Sequence, residues 1–363
     1  MPDVSMPDVE STRIFAVAPA GSSAPDSLTL DNNGSVWVEY GNGANTTGAG
    51  GSSTIVQYDT LGRVENTFTI AGSADGLKFD PVTDDIFVLQ NQDGNSTLSL
   101  IDPMTNQVSG PLNYAVASPT RGFDDVAFVK GNVFESHTNP AAPGDGVVEL
   151  LDNGHSPFGT LQTTPILRLG DTGTDMTTGA TNVPLPVNDP DSLKALADGT
   201  LVLTSGQDSA LTFIHNPATP SQTESFVTLP AGTAGLDDAI TTNGATSGTF
   251  FVADTATNLV SAVQVSGLNP NDVYASVASD KGIVQIDPNT GVVTPVATGF
   301  QSPHGMFFVP AGSEMPSTDM LGTALNLQVA DLHDLTSHDL IDRLDQHQTD
   351  DGNMATVTDH PFA

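Results

Sequence analysis

Six short segments of this chain repeat one pattern, and that repetition limits the possible folds more than any other feature. They are Pro25-Asp26-Ser27-Leu28, Ala74-Asp75-Gly76-Leu77, Phe123-Asp124-Asp125-Val126, Pro190-Asp191-Ser192-Leu193, Leu236-Asp237-Asp238-Ala239 and Pro303-His304-Gly305-Met306. Their second residues are spaced 49, 49, 67, 46 and 67 positions apart. Leu30, Phe79, Phe128, Ala195 and Phe308 continue the alternation two residues further on, with Thr241 the polar exception, so each segment has the period of a strand.

Most copies run on into a turn and a second strand, as in Asp31-Asn32-Asn33-Gly34 before Val36-Trp37-Val38 and Ala197-Asp198-Gly199 before Leu201-Val202-Leu203. A third strand with its turn recurs as Leu100-Ile101-Asp102-Pro103 and Gln285-Ile286-Asp287-Pro288, and a fourth leads into the next copy. Four antiparallel strands every 45 to 50 residues form one blade of a β-propeller, and a blade needs neighbours on both faces to bury its apolar side chains. The expectation is an all-β propeller of six four-stranded blades. Arg13 to Val17 reads as a fourth strand, so it should close the blade begun by Pro303 to Val309. The segment Asp272 to Asp287 reads as an extra hairpin in the interval before that blade, leaving open whether it or the tail completes the ring. The two long intervals should carry insertions near Leu151 to Asn188 and Ser266 to Asp287 that form lids or rims.

These readings divide the chain into a leader segment at 1–10, the propeller at 11–310 and an acidic tail at 311–363. In the tail, Thr336-Ser337-His338-Asp339 caps a short helix bearing Leu340, Ile341 and Leu344. His333, His338 and Asp342 read as its solvated face.

Charge narrows the partners. Nine Lys and Arg stand against 43 Asp and Glu, a net charge of -34, and 36 of those acids are Asp. Nucleic acid and anionic membranes would be repelled, whereas a divalent cation with oxygen ligands suits such a chain. The chain has no Cys, which excludes disulfides and thiolate chemistry. No apolar run approaches the roughly 18 residues of a membrane helix, and the first 17 residues carry no basic signal-peptide start. A nucleophile elbow, a phosphate loop, a zincin motif and an EF-hand loop are all absent. The acidity suits either a high-salt or an extracellular setting, and the expected location is extracellular or periplasmic.

The first strand of a propeller blade is the innermost, so Asp26, Asp75, Asp124, Asp191, Asp237 and His304 should converge at one mouth of the channel. Such a set repels itself unless protons or a cation intervene, and calcium, with six to eight oxygen ligands, fits best. The competing reading is that each Asp caps a turn through backbone amides. His304 is the candidate general base, metal ligand or channel-wall histidine. Glu39, Asn91, His137, Gln207 and Asp254, near the ends of second strands, should rim the same mouth as substrate contacts. Trp37 should pack between blades.

From Thr12 to Pro310 these residues resemble the six-bladed propeller superfamily of senescence-marker-protein and gluconolactonase enzymes, paraoxonase-like esterases and NHL-repeat proteins. Pro25-Asp26-Ser27, Ala74-Asp75-Gly76 and Pro190-Asp191-Ser192 resemble the Pro-Asp-Gly that supplies a metal-binding Asp in the gluconolactonase group. That group's Glu-Gly-Pro and Pro-Asn-Gly motifs are absent. Pro303-His304-Gly305 is similar to inner-strand starts in NHL-type lyases. The resemblance implies a divalent-metal-dependent hydrolase of a lactone or ester acting on a small molecule. The alternatives are a non-catalytic, calcium-stabilised binding propeller, or a metal-assisted lyase with His304 as base.

Overall fold

The computed structural model describes residues 6–313 apart from 116, 117, 119, 231, 232 and 234. The chain begins with β1 (Asp8–Val17), so the last residues of the expected leader already belong to a strand. Blade 1 is β2 (Pro25–Leu30), β3 (Val36–Tyr40), β4 (Ser52–Tyr58) and β5 (Val64–Ala71). Blade 2 is β6 (Ala74–Phe79), β7 (Ile86–Gln90), β8 (Thr97–Asp102) and β9 (Gln107–Asn113). Blade 3 is β10 (Phe123–Val129), β11 (Asn132–His137), β12 (Gly146–Leu151) and β13 (Thr163–Arg168). A short pair, β14 (Thr172–Asp175) and β15 (Val183–Pro184), precedes blade 4, which is β16 (Pro190–Ala195), β17 (Leu201–Ser205), β18 (Ala210–His215) and β19 (Thr223–Thr228).

The first long interval therefore carries no lid. Leu151 to Arg168 includes the regular fourth strand of blade 3, and β14 lies parallel to β19, widening blade 4 at its outer edge.

The last two blades are interleaved. The chain runs through β20 (Leu236–Ile240), β21 (Ser247–Asp254), β22 (Leu259–Ser266), β23 (Val273–Val277), β24 (Gly282–Ile286), β25 (Val293–Thr298) and β26 (Pro303–Pro310). Blade 5 is β20-β23-β24-β25, and blade 6 is β26-β21-β22-β1. The strand at Arg13 to Val17 thus closes the blade of Pro303, as its sequence suggests. The hairpin placed out of order, however, is Ser247 to Ser266 rather than Asp272 to Asp287, and it accounts for the length of the second interval. Strand lengths offer a physical reason: five-residue β23 matches five-residue β20, and eight-residue β21 matches eight-residue β26.

Apolar faces of successive blades press together as separate clusters. Trp37, fully buried, stacks on Phe68 and meets Leu77, Ile86 and Val88 of blade 2, while its indole N–H donates to Asp31 at 2.9 Å. Burying such side chains contributes about 1.5–3 kcal/mol each and holds the ring radially. Much of the aspartate serves turns. Asp31, Asp59, Asp102 and Asp287 accept backbone N–H groups two residues on at 2.8–2.9 Å. The expected tail helix lies outside the described residues.

Candidate functional site

One device recurs in all six blades where the inner strand begins. Pro25 pairs with Tyr40 and Leu28 with Val38, so Asp26 and Ser27 together face Glu39 alone. The same two-against-one bulge sets Asp75-Gly76, Asp124-Asp125, Asp191-Ser192, Asp237-Asp238 and His304-Gly305 against single partners. A bulge re-aims side chains. In blade 3, Ser136 Oγ accepts the Asp125 N–H at 2.9 Å and helps to fix it. Small residues follow the ring position where the neighbouring backbone is close: a Cβ on Gly76 would lie 2.2 Å from the Asp124 carbonyl oxygen, and one on Gly305 would lie 2.4 Å from that of Asp26.

The result is a mouth of about 260 Å³ lined by Asp26, Asp75, Asp124, Asp191, Asp237 and His304. The ring groups act on one another: Asp75, Asp124, Asp191 and Asp237 are raised, by burial first and then by the charges of neighbouring carboxyl groups. They divide into two halves. In one, His304 Nδ1 stands 2.7 Å from Asp237 and 3.4 Å from Asp26. Burial opposes the imidazolium, but bonds to Asp237 and Asp26 outweigh burial and lift His304 to about 11. Burial also pushes Asp237 up to about 6 against the pull of His304.

In the other half, burial raises Asp75, Asp124 and Asp191 well above the usual carboxylate range. Asp124 interacts with both Asp75 and Asp191, and the repulsion among these carboxylates adds to burial. The imidazolium, and the protons these raised carboxyl groups retain, offset part of the negative charge of the mouth.

Its donors fit a hard divalent cation. Asp26, Asp237 and His304 offer ligand atoms within 4.8 Å of one another, and the remaining donors are oxygens. Gln92, also in the lining, buries an Oε1 that has no hydrogen-bond partner among the described residues, and Glu39 behind Asp26 buries two such oxygens.

The expected rim is placed differently. Glu39 is fully buried opposite the blade 1 bulge. Asn91, at φ 65°, ties its side chain to the Ser73 N–H and the Asn95 carbonyl. His137 stacks on Phe123 and turns Nδ1 toward Glu149 and Arg121, each at 3.1 Å. Asp254 accepts the N–H groups of Gln301 and Ser302 and so anchors the turn into β26. Gln207 is exposed in a turn, where its N–H donates to Asp189. None of the five is in the lining; Gln92, Asp93, Thr138, Asn139 and Asp189 are there instead. Residues at the ends of second strands are consumed in pairing or turn chemistry, whereas Gln92, Asp93, Thr138 and Asn139, further along the turns after β7 and β11, reach the opening.

Residues below the ring carry little sequence signal. Asp125 Oδ2 accepts the Leu193 N–H at 3.0 Å and Asp238 Oδ2 accepts the Met306 N–H at 2.7 Å, joining blade 3 to 4 and blade 5 to 6. Lys194 bridges both carboxylates, at 3.2 and 2.7 Å, and Lys78 approaches Asp125 at 3.4 Å. Burial raises Asp125, but Lys194, Lys78 and two N–H donors bring it down to about 2. The available clue is arithmetic: two of only four lysines stand three residues after a ring Asp.

No family model and no curated protein matches this chain. Solved structures do. A calcium-binding protein, regucalcin, from Agrobacterium tumefaciens aligns with TM-score 0.50 at 10% identity over 85% of this chain and 90% of that one. A gluconolactonase-like protein aligns at TM-score 0.46 and 12% identity over 80% and 82%. A streptogramin B lyase aligns at 0.47 and 15% over 82% and 94%. The fold is the six-bladed propeller. At these identities the likeness is one of architecture, and the chemistry must come from the residues above.

Proposed function

We propose that the acidic mouth binds a divalent cation, calcium by preference, and that the protein is a metal-dependent hydrolase of a small lactone or ester. The observation that supports this reading is the convergence of five carboxyl groups and one imidazole, one from each blade, in a single opening. Asp75, Asp124 and Asp191 would hold the ion, because that half offers oxygens and the other half already contains a positive charge. A divalent cation there supplies Lewis-acid polarisation of a carbonyl.

This chain's own groups supply the proton chemistry. His304, charged between Asp26 and Asp237, is a proton donor facing the opening, suited to protonating a leaving alkoxide. The role differs from the general base read from sequence, and it weakens the lyase alternative, which needs that imidazole unprotonated. Asp26 and Asp237 hold the ring in place and keep the proton on it. A non-catalytic calcium-binding propeller is the second reading, favoured by the regucalcin neighbour's description as a calcium-binding protein. An extracellular or periplasmic setting, where calcium is plentiful enough for a modest oxygen-ligand site, belongs to both.

The test pairs melting with turnover. Calcium at about a hundredfold excess over Kd should raise Tm by roughly 5 °C and chelator should reverse it. A calcium-dependent hit on a lactone and ester panel should be lost in His304→Ala without loss of that stabilisation. Stabilisation with no hit across the panel supports the binding reading, and no stabilisation removes the metal from both.

A further inference from the structure

The channel has a second mouth, at the other end of the inner strands, and its chemistry is the reverse of the first. It is a cavity of about 340 Å³ with walls of Phe79, Phe128, Ile240, Met306 and Phe308, and Lys78 and Lys194 both reach into it. Two of the chain's four lysines thus share one apolar throat.

The two amines are not equivalent. Lys194 is held at 2.7 Å by Asp238 and 3.2 Å by Asp125. Among the described residues Lys78 has Asp125 as its one ion-pair partner, at 3.4 and 3.5 Å, and Asp125 is further occupied by Lys194, Ser192 and two backbone N–H groups. The groups that face Lys78 from neighbouring strands are Asp125, Lys194 and Asp238. Lys78 and Lys194 both stand within 3.5 Å of Asp125, which brings the two amines together. Burial and the neighbouring ammonium bring Lys78 down to about 8, despite the pull of Asp125, while Lys194 is held firmly protonated. A desolvated amine beside a second cation is how a lysine becomes a nucleophile.

We propose that this mouth binds a small apolar aldehyde or ketone and that Lys78 holds it as an imine. The Lys78 nitrogen adds to the carbonyl carbon, forming a C–N bond, and the carbonyl oxygen takes up a proton. Loss of a proton from nitrogen and departure of the oxygen as water then leave C=N, so one carbonyl and one amine give one imine and one water. Lys194, fixed by Asp238, stands beside the nitrogen as positioning residue and proton source. The site is independent of the acidic mouth.

The experiment is reductive trapping on the full chain. Benzaldehyde with cyanoborohydride should add one benzyl group, mapped by peptide mass to Lys78. At pH 7 Lys78 should react roughly two-hundredfold faster than a lysine side chain in a model peptide, the ratio of free-amine fractions for groups titrating near 8 and near 10.4. The labelling rate should rise with a midpoint near pH 8. Lys78→Arg, which keeps the charge, should lose the label with Tm unchanged, and calcium or chelator should make no difference. Equal labelling of all four lysines, absence of label from Lys78, or binding of benzoate in preference to benzaldehyde would each overturn the assignment.

Discussion

Calcium binding should expel protons from the ring. Burial and mutual repulsion hold Asp75, Asp124 and Asp191 well above the usual carboxylate range, and these three must become carboxylates before they can hold a dication. His304 keeps its proton, because Asp26 and Asp237 hold it. One or more protons should therefore leave per calcium at pH 7. For each proton released, lowering the pH by one unit should weaken binding about tenfold, about 1.4 kcal/mol. Titration calorimetry in two buffers of different ionisation enthalpy reads the number directly, since the apparent heat differs by the protons released times the difference in buffer enthalpy. A saturable heat identical in both buffers would refute the protonated row altogether.

Two further outcomes test the scaffold. Glu135 is fully buried, accepts from Tyr114 at 2.7 Å, and is raised by burial to about 8. Above pH 4.5 the unfolded chain ionises it while the folded chain keeps the proton, so the native state binds more protons and stability falls as pH rises. The loss is about 1.4 kcal/mol per pH unit up to pH 8, near ~5 kcal/mol in all. Glu135→Gln escapes it, and urea denaturation should show its advantage over wild type growing across that range; parallel curves would contradict the burial argument. Gly305→Ala should cost about 1–3 kcal/mol, since its Cβ falls 2.4 Å from the Asp26 carbonyl oxygen. It should also weaken calcium binding, and an unaltered urea midpoint would mean that blades 6 and 1 are not so tightly apposed.

The parts of this molecule that announce themselves in sequence are those that repeat. Asp26, Asp75, Asp124, Asp191, Asp237 and His304 share a spacing and a local pattern, and their convergence followed from the geometry of a blade. The strand order of blades 5 and 6 was hidden because Ser247 to Ser266 and Asp272 to Asp287 are hairpins of the same kind; only their lengths against β26 and β20 distinguish them. Glu39, His137 and Asp254 were misplaced because a bulge and a turn decide which side chains face the opening, and neither is visible in the identity of one residue. The importance of His304 is legible in its place in the repeat, whereas its role depends on its distances to two carboxyl groups, which no repeat encodes. Lys78 carries no motif at all, since its character comes from three neighbours 47 or more positions away in sequence.

The interleaving of the last two blades bears on how the ring can fail. Blade 5 is pinned from both sides of a hairpin that belongs to blade 6, and blade 6 is assembled from three separate stretches of chain, the first and the last strand included. Neither can peel away as an intact sheet, so the two should melt as one cooperative block. A single proteolytic nick in the connection at 267–272 would leave both fragments threaded through each other's sheets, and the cut protein should keep its shape.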